Sequence, residues 1–521
     1  MTETDTAQQN GAGHARMREI WLLAATFIIA VAGLIYELIA ATVSSYLLGD
    51  SVRQFSLVIG VFLSAMGLGA WASRFIQRAM PGFIWAQLAL GVLGGFMAPV
   101  LFFTYAWTGD VALALYGMLI AVGVLSGMEI PLIARVLKEI GAPEFRFENV
   151  LSVDYVGALV ASLAFPLLVI PHLGLMSASL FFGCLNLAVA GLSLWLFREQ
   201  ASRMQWGLWG AALAVSALAL VQSERLVSIA EVQLFEDDVI FSEATPYQQI
   251  TVTRFQGRVR LFLDHSIQFD SRDEHRYHEA LVHPAMARAP RRNNILILGG
   301  GDGMAAREVL RYSDVETVTL VDLDPRVTAL FRDHPELSLL NDRALSDPRV
   351  SITNMDAWRY IETAQDSYDV IILDLPDPKN LALSKLYSRS FYHLLVERLS
   401  STGLLVTQSG SPLFARQAYW SIVNTLETTR NPVSPGAGLS VLPYHVYLPS
   451  FGDWGFSMAS FSPLAERQLA LPDGLRFLTP DVWQMAQVFD GDTSRVEAEI
   501  NTIQTHALLE YYLEGWDTWF R

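Results

Sequence analysis

The stretch Ile295-Leu-Ile-Leu-Gly-Gly-Gly-Asp-Gly-Met-Ala-Ala-Arg-Glu-Val-Leu310 decides how this chain is read. Four apolar residues in a row suit a strand buried on both faces, as in a parallel sheet. Gly299–Gly303 then allow a sharp turn and a close approach of backbone to ligand, and Met304–Tyr312 reads as helix. The rhythm repeats downstream. Thr317-Val-Thr-Leu-Val ends at Asp322, Tyr368-Asp-Val-Ile-Ile-Leu ends at Asp374, and Gly403-Leu-Leu-Val-Thr is another buried strand. Strands alternating with helices imply an α/β, Rossmann-like doubly wound sheet. Such sheets bind ligands at the carboxyl ends of their strands, where Gly299–Gly303, Asp322, Asp356 and Asp374 fall.

Asp322 follows Gly303 by 19 residues, a spacing shared by NAD-binding and S-adenosylmethionine-binding domains, and it is placed for ribose hydroxyls. Asp302 discriminates between ligands. A carboxylate in the glycine turn repels a pyrophosphate and equally the carboxylate of ordinary S-adenosylmethionine, but it attracts an ammonium. It therefore favours decarboxylated S-adenosylmethionine, whose tail ends in an amine.

Upstream, 238–270 alternate apolar and polar residues in short runs with a turn at Gln256-Gly257, the pattern of antiparallel strands. A helix follows over 273–287, and Pro/Gly-rich 431–438 reads as a loop. Farther upstream the character changes. Of 521 residues only 17% are charged, against about 25% in ordinary soluble chains. Residues 1–225 hold 11 Lys/Arg and 13 Asp/Glu; the rest hold 25 and 39, a net of −14. Seven apolar stretches, near 20–47, 54–73, 84–106, 111–134, 151–171, 176–197 and 206–222, approach the roughly 20 residues that span a bilayer. The sequence thus predicts a multi-pass helical domain over 1–225, a small antiparallel β subdomain over 226–290 and the Rossmann-like domain over 291–521.

Arg16, Arg18, Arg74, Arg78, Arg135, Lys138, Arg146, Arg198 and Arg203 fall in alternate loops, and the opposite loops contain only Arg53. Charge bias therefore places the N-terminus in the cytoplasm and, after seven spans, the acidic half outside it. Glu37, Glu129 and Asp154 lie in or at the edges of spans, where a carboxylate is expensive and faces the bundle interior or water. The acidic balance argues against nonspecific nucleic-acid binding, which draws on Lys and Arg. One cysteine, Cys184, excludes an internal disulfide and any cysteine-rich metal site. His275, His278 and His283 lack metal-ligand spacing, so no metal is expected.

The ordered set Pro246-Tyr-Gln-Gln-Ile, Leu263-Asp-His-Ser-Ile-Gln268, Asp273-Glu-His-Arg-Tyr-His-Glu279, Gly299-Gly-Gly-Asp-Gly303, Asp322-Leu-Asp324, Asp356-Ala357 and Asp374-Leu-Pro-Asp-Pro378 resembles the spermidine synthase (polyamine aminopropyltransferase) family. The resemblance is to its membrane-anchored bacterial branch. It is strong over about 240–460, weaker to 521, and implies a sheet of the S-adenosylmethionine-methyltransferase type.

The resemblance implies that Asp374 is the catalytic base, that His278, Asp302 and Asp377 hold the polyamine and aminopropyl amines, and that Gln248, Gly299, Gly301, Asp322, Asp356 and Ala357 hold the nucleoside. Tyr247, Gln268, Tyr447 and Trp454 are candidate channel residues, as is Tyr444 if it is not core. Asp322 stands where Glu is more usual, His265 where Gly is usual, and Leu375-Pro376 where small hydroxyl residues are usual; the last two bear on amine choice. The implied reaction moves the aminopropyl group of decarboxylated S-adenosylmethionine, a co-substrate, to putrescine or a similar amine. No cofactor is implied, and a homodimer in the cell (inner) membrane is. Two other readings share these residues: an S-adenosylmethionine-dependent methyltransferase, and a membrane polyamine-binding or transport protein. Supply of a donor made inside the cell argues for a cytoplasmic catalytic half, against the charge bias.

Overall fold

The computed structural model describes residues 3–48, 51–108, 110–140, 146–199, 201–223, 225–226, 235, 237–434, 436–464 and 469–520. The chain divides into two compact units, Met1–Asp238 and Val239–Arg521. The change of character read at 225/226 borders residues 227–234, which lie outside the described set, as does Ser434's neighbour at 435 within the predicted 431–438 loop.

The first unit is helical: α1 (Glu3–Leu48), α2 (Ser51–Ala72), α3 (Ala79–Gly95), α4 (Met97–Thr108), α5 (Ala112–Glu139), α6 (Phe147–Ala164), α7 (Ile170–Leu196) and α8 (Arg203–Val221). Among the described residues, five helical runs are long and apolar enough to cross a bilayer, and α3 with α4 make a sixth, bent by 41°. Pro99 explains the bend. It has no N–H for the Gly95 carbonyl, and the Ser179 hydroxyl donates to the carbonyls of Gly94 and Gly95 instead, at 2.7 and 3.0 Å.

One of the five runs, Phe147–Leu196, covers two of the seven apolar stretches. It passes through a π-helical turn at Phe165–Val169 and breaks at Gly174, whose φ of 66° and ψ of 176° suit glycine alone. The chain doubles back there. Gly157 packs on Ala30, and Asn186 reaches Tyr36. Those contacts lie about 9 Å apart along α1, whereas the same 157–186 segment as unbroken helix would extend about 43 Å. α6 and α7 are therefore two helices that lie side by side along α1 and run in opposite directions. Glycines permit the close packing: a Cβ on Gly69 or Gly127 would meet backbone of the facing helix at 2.0 Å.

The second unit opens with a four-stranded sheet in the order β1 (Asp238–Ala244), β2 (Gln249–Phe255), β3 (Arg258–Leu263), β4 (Ser266–Asp270). Gln256 and Gly257, both at positive φ, turn β2 into β3. α9 (Glu274–Arg288) leads to β5 (Asn294–Gly299), β6 (Thr317–Asp322), β7 (Val350–Asn354), β8 (Tyr368–Asp374), β9 (Leu399–Gly410), β10 (Ser440–Leu448) and β11 (Gly452–Ser460). The seven-stranded order is β10-β11-β9-β8-β5-β6-β7. β9, β8, β5, β6 and β7 are parallel; β11 and β10 add an antiparallel hairpin at one edge, so the sheet is mixed rather than wholly parallel.

Both faces are covered, which is why the central strands are continuously apolar. Ile295 and Ile297 enter one core and Leu296 and Leu298 the other. Ile250, Val252, Leu261 and Phe269 of the small sheet share the first core with α9 and β5, so no separate core divides 226–290 from 291 onward. The helix read over Met304–Tyr312 stops at Val309. Tyr312 turns inward, where its hydroxyl meets His283 at 3.0 Å.

Candidate active site

The order of strands reverses between β5 and β8, and a cleft opens at their carboxyl ends, as it should at such a switch point. Gly299 pairs directly with Asp374 across the two strands. Its φ is 84°, and a Cβ there would stand 2.0 Å from the Asp374 carbonyl oxygen, so only glycine fits. Gly301 N–H donates to Asp322 Oδ2 at 3.0 Å and Asp324 N–H to Oδ1 at 2.9 Å. A Cβ on Gly301 would collide with that carboxylate. Burial raises the Asp322 carboxyl to about 6, partly opposed by these two N–H donors.

Asp302 ends the glycine turn, with Oδ1 accepting from Met304 N–H at 2.9 Å and its carbonyl held by Asn341 at 2.7 Å. Asp374 faces it from β8. Tyr277, from α9, donates its hydroxyl to Asp374 Oδ1 at 2.8 Å. One turn of α9 also aims His278 inward. Its Nδ1 lies 2.9 Å from the Glu274 carbonyl and 3.0 Å from Glu274 Oε2, both acceptors, so this nitrogen carries the proton. Nε2 points to Asp374 Oδ2 at 3.9 Å.

Electrostatics follow from this layout. Burial and the neighbouring Asp302 raise Asp374 to about 6, with His278 and the Tyr277 hydroxyl pulling the other way. Asp302 is raised as well, chiefly by burial. Burial alone would lower His278, but the Glu274 hydrogen bond and charge, with Asp302 and Asp374, outweigh it and lift the imidazole to about 9. Glu274 in turn falls to about 2: burial raises it, and His278 and Arg307 more than compensate.

Asp377 sits three residues beyond Asp374. Tyr512 donates to its Oδ2 at 2.9 Å and Gln408 to its Oδ1 at 3.2 Å, while burial raises it to about 6. Lys379, 2.8 Å from Ser266 Oγ, is lowered by burial.

The cleft brings together most of the residues expected from sequence. Gln248, Gln268, His278, Gly299, Gly301, Asp302, Asp322, Asp374, Asp377 and Trp454 all line it. Gln248 Nε2 also reaches Asp324 at 3.2 Å. Asp356 and Ala357 stand beyond the end of β7. Asp356 caps the helix Ala357–Thr363 through the N–H groups of Trp358 and Arg359 and pairs with Lys385 at 3.0 Å. Tyr247 and Tyr447 are 51% and 62% exposed and do not line the cleft. Tyr444 is core, its hydroxyl bonded to the Ala280 carbonyl at 2.9 Å.

Sequence reasoning missed Gln408, Lys379 and Tyr512. Gln408, near the end of β9, was within reach of the strand-end rule that found Asp374. Tyr512 lies on the helix Ala507–Phe520, 135 residues after Asp377, and no local signal links them. His283 is bound by Glu308 and Tyr312 in the core. Among the described residues, one His/acid group has ligand atoms close enough to share a metal: His278, Asp302 and Asp374, all within 4.8 Å. With Nδ1–H donated to Glu274 and the imidazole raised to about 9, His278 itself is the cation between the two acids.

Comparison with known proteins leads to the same place. Residues 274–469 match the spermine/spermidine synthase domain. A polyamine aminopropyltransferase from Leptospira interrogans is 41% identical over 504 residues, covering 95% of this chain and 98% of the relative. Polyamine aminopropyltransferase 2 from Ralstonia nicotianae is 42% identical over 513 residues, with 95% and 98% covered. The corresponding protein from Oceanobacillus iheyensis is 39% identical, with 94% and 96% covered. A crystal structure of spermidine synthase in complex with the transition state analogue AdoDATO aligns with 49% of this chain and 86% of its own, at 23% identity and a TM-score of 0.43. Similarity that runs through helical and catalytic units alike, at about 40% identity, means that the chain belongs to the polyamine aminopropyltransferase family.

Proposed function

We propose that the chain transfers the aminopropyl group of decarboxylated S-adenosylmethionine to putrescine or a similar diamine, with Asp374 as general base. The amine nitrogen attacks the carbon next to the sulfonium, the N–C bond forms as the C–S bond breaks, and the electron pair leaves on sulfur as neutral methylthioadenosine. The leaving group needs no acid. The attacking amine must lose a proton, and Asp374 accepts it. One observation carries this reading: Asp374 is buried at the strand end beside the glycine turn, ionisable near 6 and held by Tyr277. A base with that pKa is largely ionised at pH 7 yet more basic than an ordinary aspartate.

In this scheme the donor's ribose rests on Asp322, and its amine lies towards Asp302. Asp377 receives the acceptor's distal ammonium, and His278 balances the paired acids. Detergent-purified protein incubated with decarboxylated or ordinary S-adenosylmethionine and a panel of amines, with products read by mass spectrometry, tests the scheme. Aminopropylated amine and methylthioadenosine should form with the decarboxylated donor alone, and Asp374→Asn should reduce turnover by about 10²–10⁴. Methylation from the ordinary donor would overturn the proposal.

The helical unit is proposed to lie in the cell membrane, with the protein acting there as a homodimer. Alternate loops meet as a common face requires: Arg135 donates to the carbonyls of Ser73 and Gln77, and Arg18 lies over Phe197 at 5.4 Å. With α6 and α7 as separate crossings, the count is odd, so the N-terminus and the catalytic unit lie on opposite faces. Charge bias puts the catalytic unit outside and donor supply puts it inside. Reporter fusions at each end assign the faces, and signals from the same side would refute the odd count.

A further inference from the structure

The helical unit contains a polar cluster that aminopropyl transfer does not use. Glu129 of α5 is buried and accepts a short hydrogen bond from Gln87 Nε2 of α3. One turn earlier, Ser126 faces Gly33 of α1: a Cβ on that glycine would stand 3.5 Å from Ser126 Oγ. One turn after Gly33 comes Tyr36, whose hydroxyl accepts from Asn186 Nδ2 of α7 at 3.1 Å. Glu129 lies within electrostatic range of Tyr36, so these pairs, drawn from four helices, belong to one polar region. Gly94 makes room for it, because a Cβ there would meet the Tyr36 ring at 2.5 Å.

Gln87, Asn186 and Tyr36 are 0% exposed. Gln87 Oε1, Asn186 Oδ1 and Ser126 Oγ have no hydrogen-bond partner among the described residues. Native interiors rarely leave such groups unsatisfied. Every unmatched atom is an oxygen, and the only formal charge that a carboxylate brings is negative. Neutral oxygens beside the Glu129 carboxylate, with the acid Asp154 within electrostatic range of it and the thiol Cys184 within range of Tyr36, favour a cation, and an oxygen-dominated set favours a hard one. Such a set equally matches the three N–H donors of a primary ammonium.

We propose that Glu129, Gln87, Asn186, Ser126 and Tyr36 form a binding site for one monovalent cation inside the helical unit, either an alkali ion or a primary ammonium. The competing arrangement is a protonated Glu129 that donates to a flipped Gln87 amide, which satisfies that pair alone and needs no cation.

The test uses the full chain in detergent, melted at constant ionic strength in choline chloride with added Na⁺, K⁺ or methylammonium. A saturable rise in melting temperature is expected with at least one probe. Sodium or potassium response identifies an alkali-ion site, and methylammonium response an ammonium site. Glu129→Gln should abolish the rise. Gln87→Leu, which keeps the carboxylate, should shift its midpoint at least tenfold to higher concentration. Asp377→Asn, altered in the other unit, should retain it. No rise with any probe, or a rise unchanged in Glu129→Gln, overturns the proposal. So does an infrared carboxylic-acid band at neutral pH that disappears in Glu129→Gln yet ignores all three cations.

Discussion

Tyr277→Phe separates the role of Asp374 as a base from any merely structural role. The substitution removes one hydroxyl and the 2.8 Å hydrogen bond to Asp374 Oδ1 and leaves the ring against Phe456. A hydrogen bond to a charged group is worth about 1.5–3 kcal/mol, and 1.36 kcal/mol is one pKa unit. The hydroxyl favours the carboxylate, so its loss raises Asp374 from about 6 by roughly one to two units. The acid limb of kcat/KM should move up by the same amount. At pH 7 the ionised fraction falls from about nine-tenths to between one-half and one-tenth, a roughly two- to tenfold loss; at pH 6 the loss deepens to about five- to fiftyfold. By pH 9 the two enzymes should converge. Protonation of free diamine also shapes each profile, but it cancels in the ratio of variant to parent at each pH. The assay is initial-rate formation of methylthioadenosine from pH 5.5 to 9. A ratio that stays flat across that range would refute the assignment of Asp374 as the titrating base.

Gly299→Ala should abolish donor binding and lower the melting temperature of the catalytic unit, because the Cβ meets the Asp374 carbonyl and the positive φ adds about 1–2 kcal/mol; calorimetric titration with methylthioadenosine reads it. Tyr512→Phe frees one side of Asp377 and should raise KM for the diamine about tenfold with kcat nearly unchanged; equal losses in both would place Asp377 at the reacting nitrogen instead. Asp377→Asn should stabilise the amine-free protein at neutral pH. The folded carboxyl is raised from its usual value to about 6, so its favourable contribution is present at low pH and lost as pH rises through about 6. Thermal melts should show the variant matching the parent near pH 4, gaining as pH rises to about 6 and levelling off above it at up to about 3 kcal/mol; a gain that is the same at pH 4 and pH 7 would rule out the buried charge as its cause.

The catalytic fold was legible because a sheet buried on both faces leaves an unmistakable trace. Ile295–Leu298 and Val370–Leu373 are apolar at every position, since alternate residues enter different cores. The acids at strand ends stood out against that background. Long-range partners left no such trace. Tyr512 reaches Asp377 only because the last helix packs back on the sheet, and a tyrosine in an amphipathic helix reads as core from sequence alone. Tyr247 and Tyr447 show the opposite difficulty: both are aromatic and near a motif, yet both are exposed, and alternation along β10 turns Tyr447 outward while Val446 and Leu448 stay buried. In the helical unit, hydropathy located the apolar stretches but could not show how α6 meets α7. The break rests on the backbone angles of a single residue, Gly174.

The raised carboxyls and the cationic histidine explain one another. Asp302 and Asp374 lie too close, and too far from water, for both to ionise freely. Glu274 fixes a proton on His278 and so supplies one positive charge, which two acids must share. The site is therefore short of positive charge before substrates bind, and in the proposed scheme each substrate brings what is missing: an ammonium on the donor's tail for Asp302, and a diamine with one end at Asp374 and the other at Asp377. Ordinary S-adenosylmethionine would add a carboxylate at the place where negative charge is already in excess. On the proposed scheme, discrimination against it follows from the charge state of the site before binding. Neutralising Asp302 should weaken the decarboxylated donor and improve the ordinary one relative to it, which the binding of the two to Asp302→Asn, compared with the parent, would measure directly.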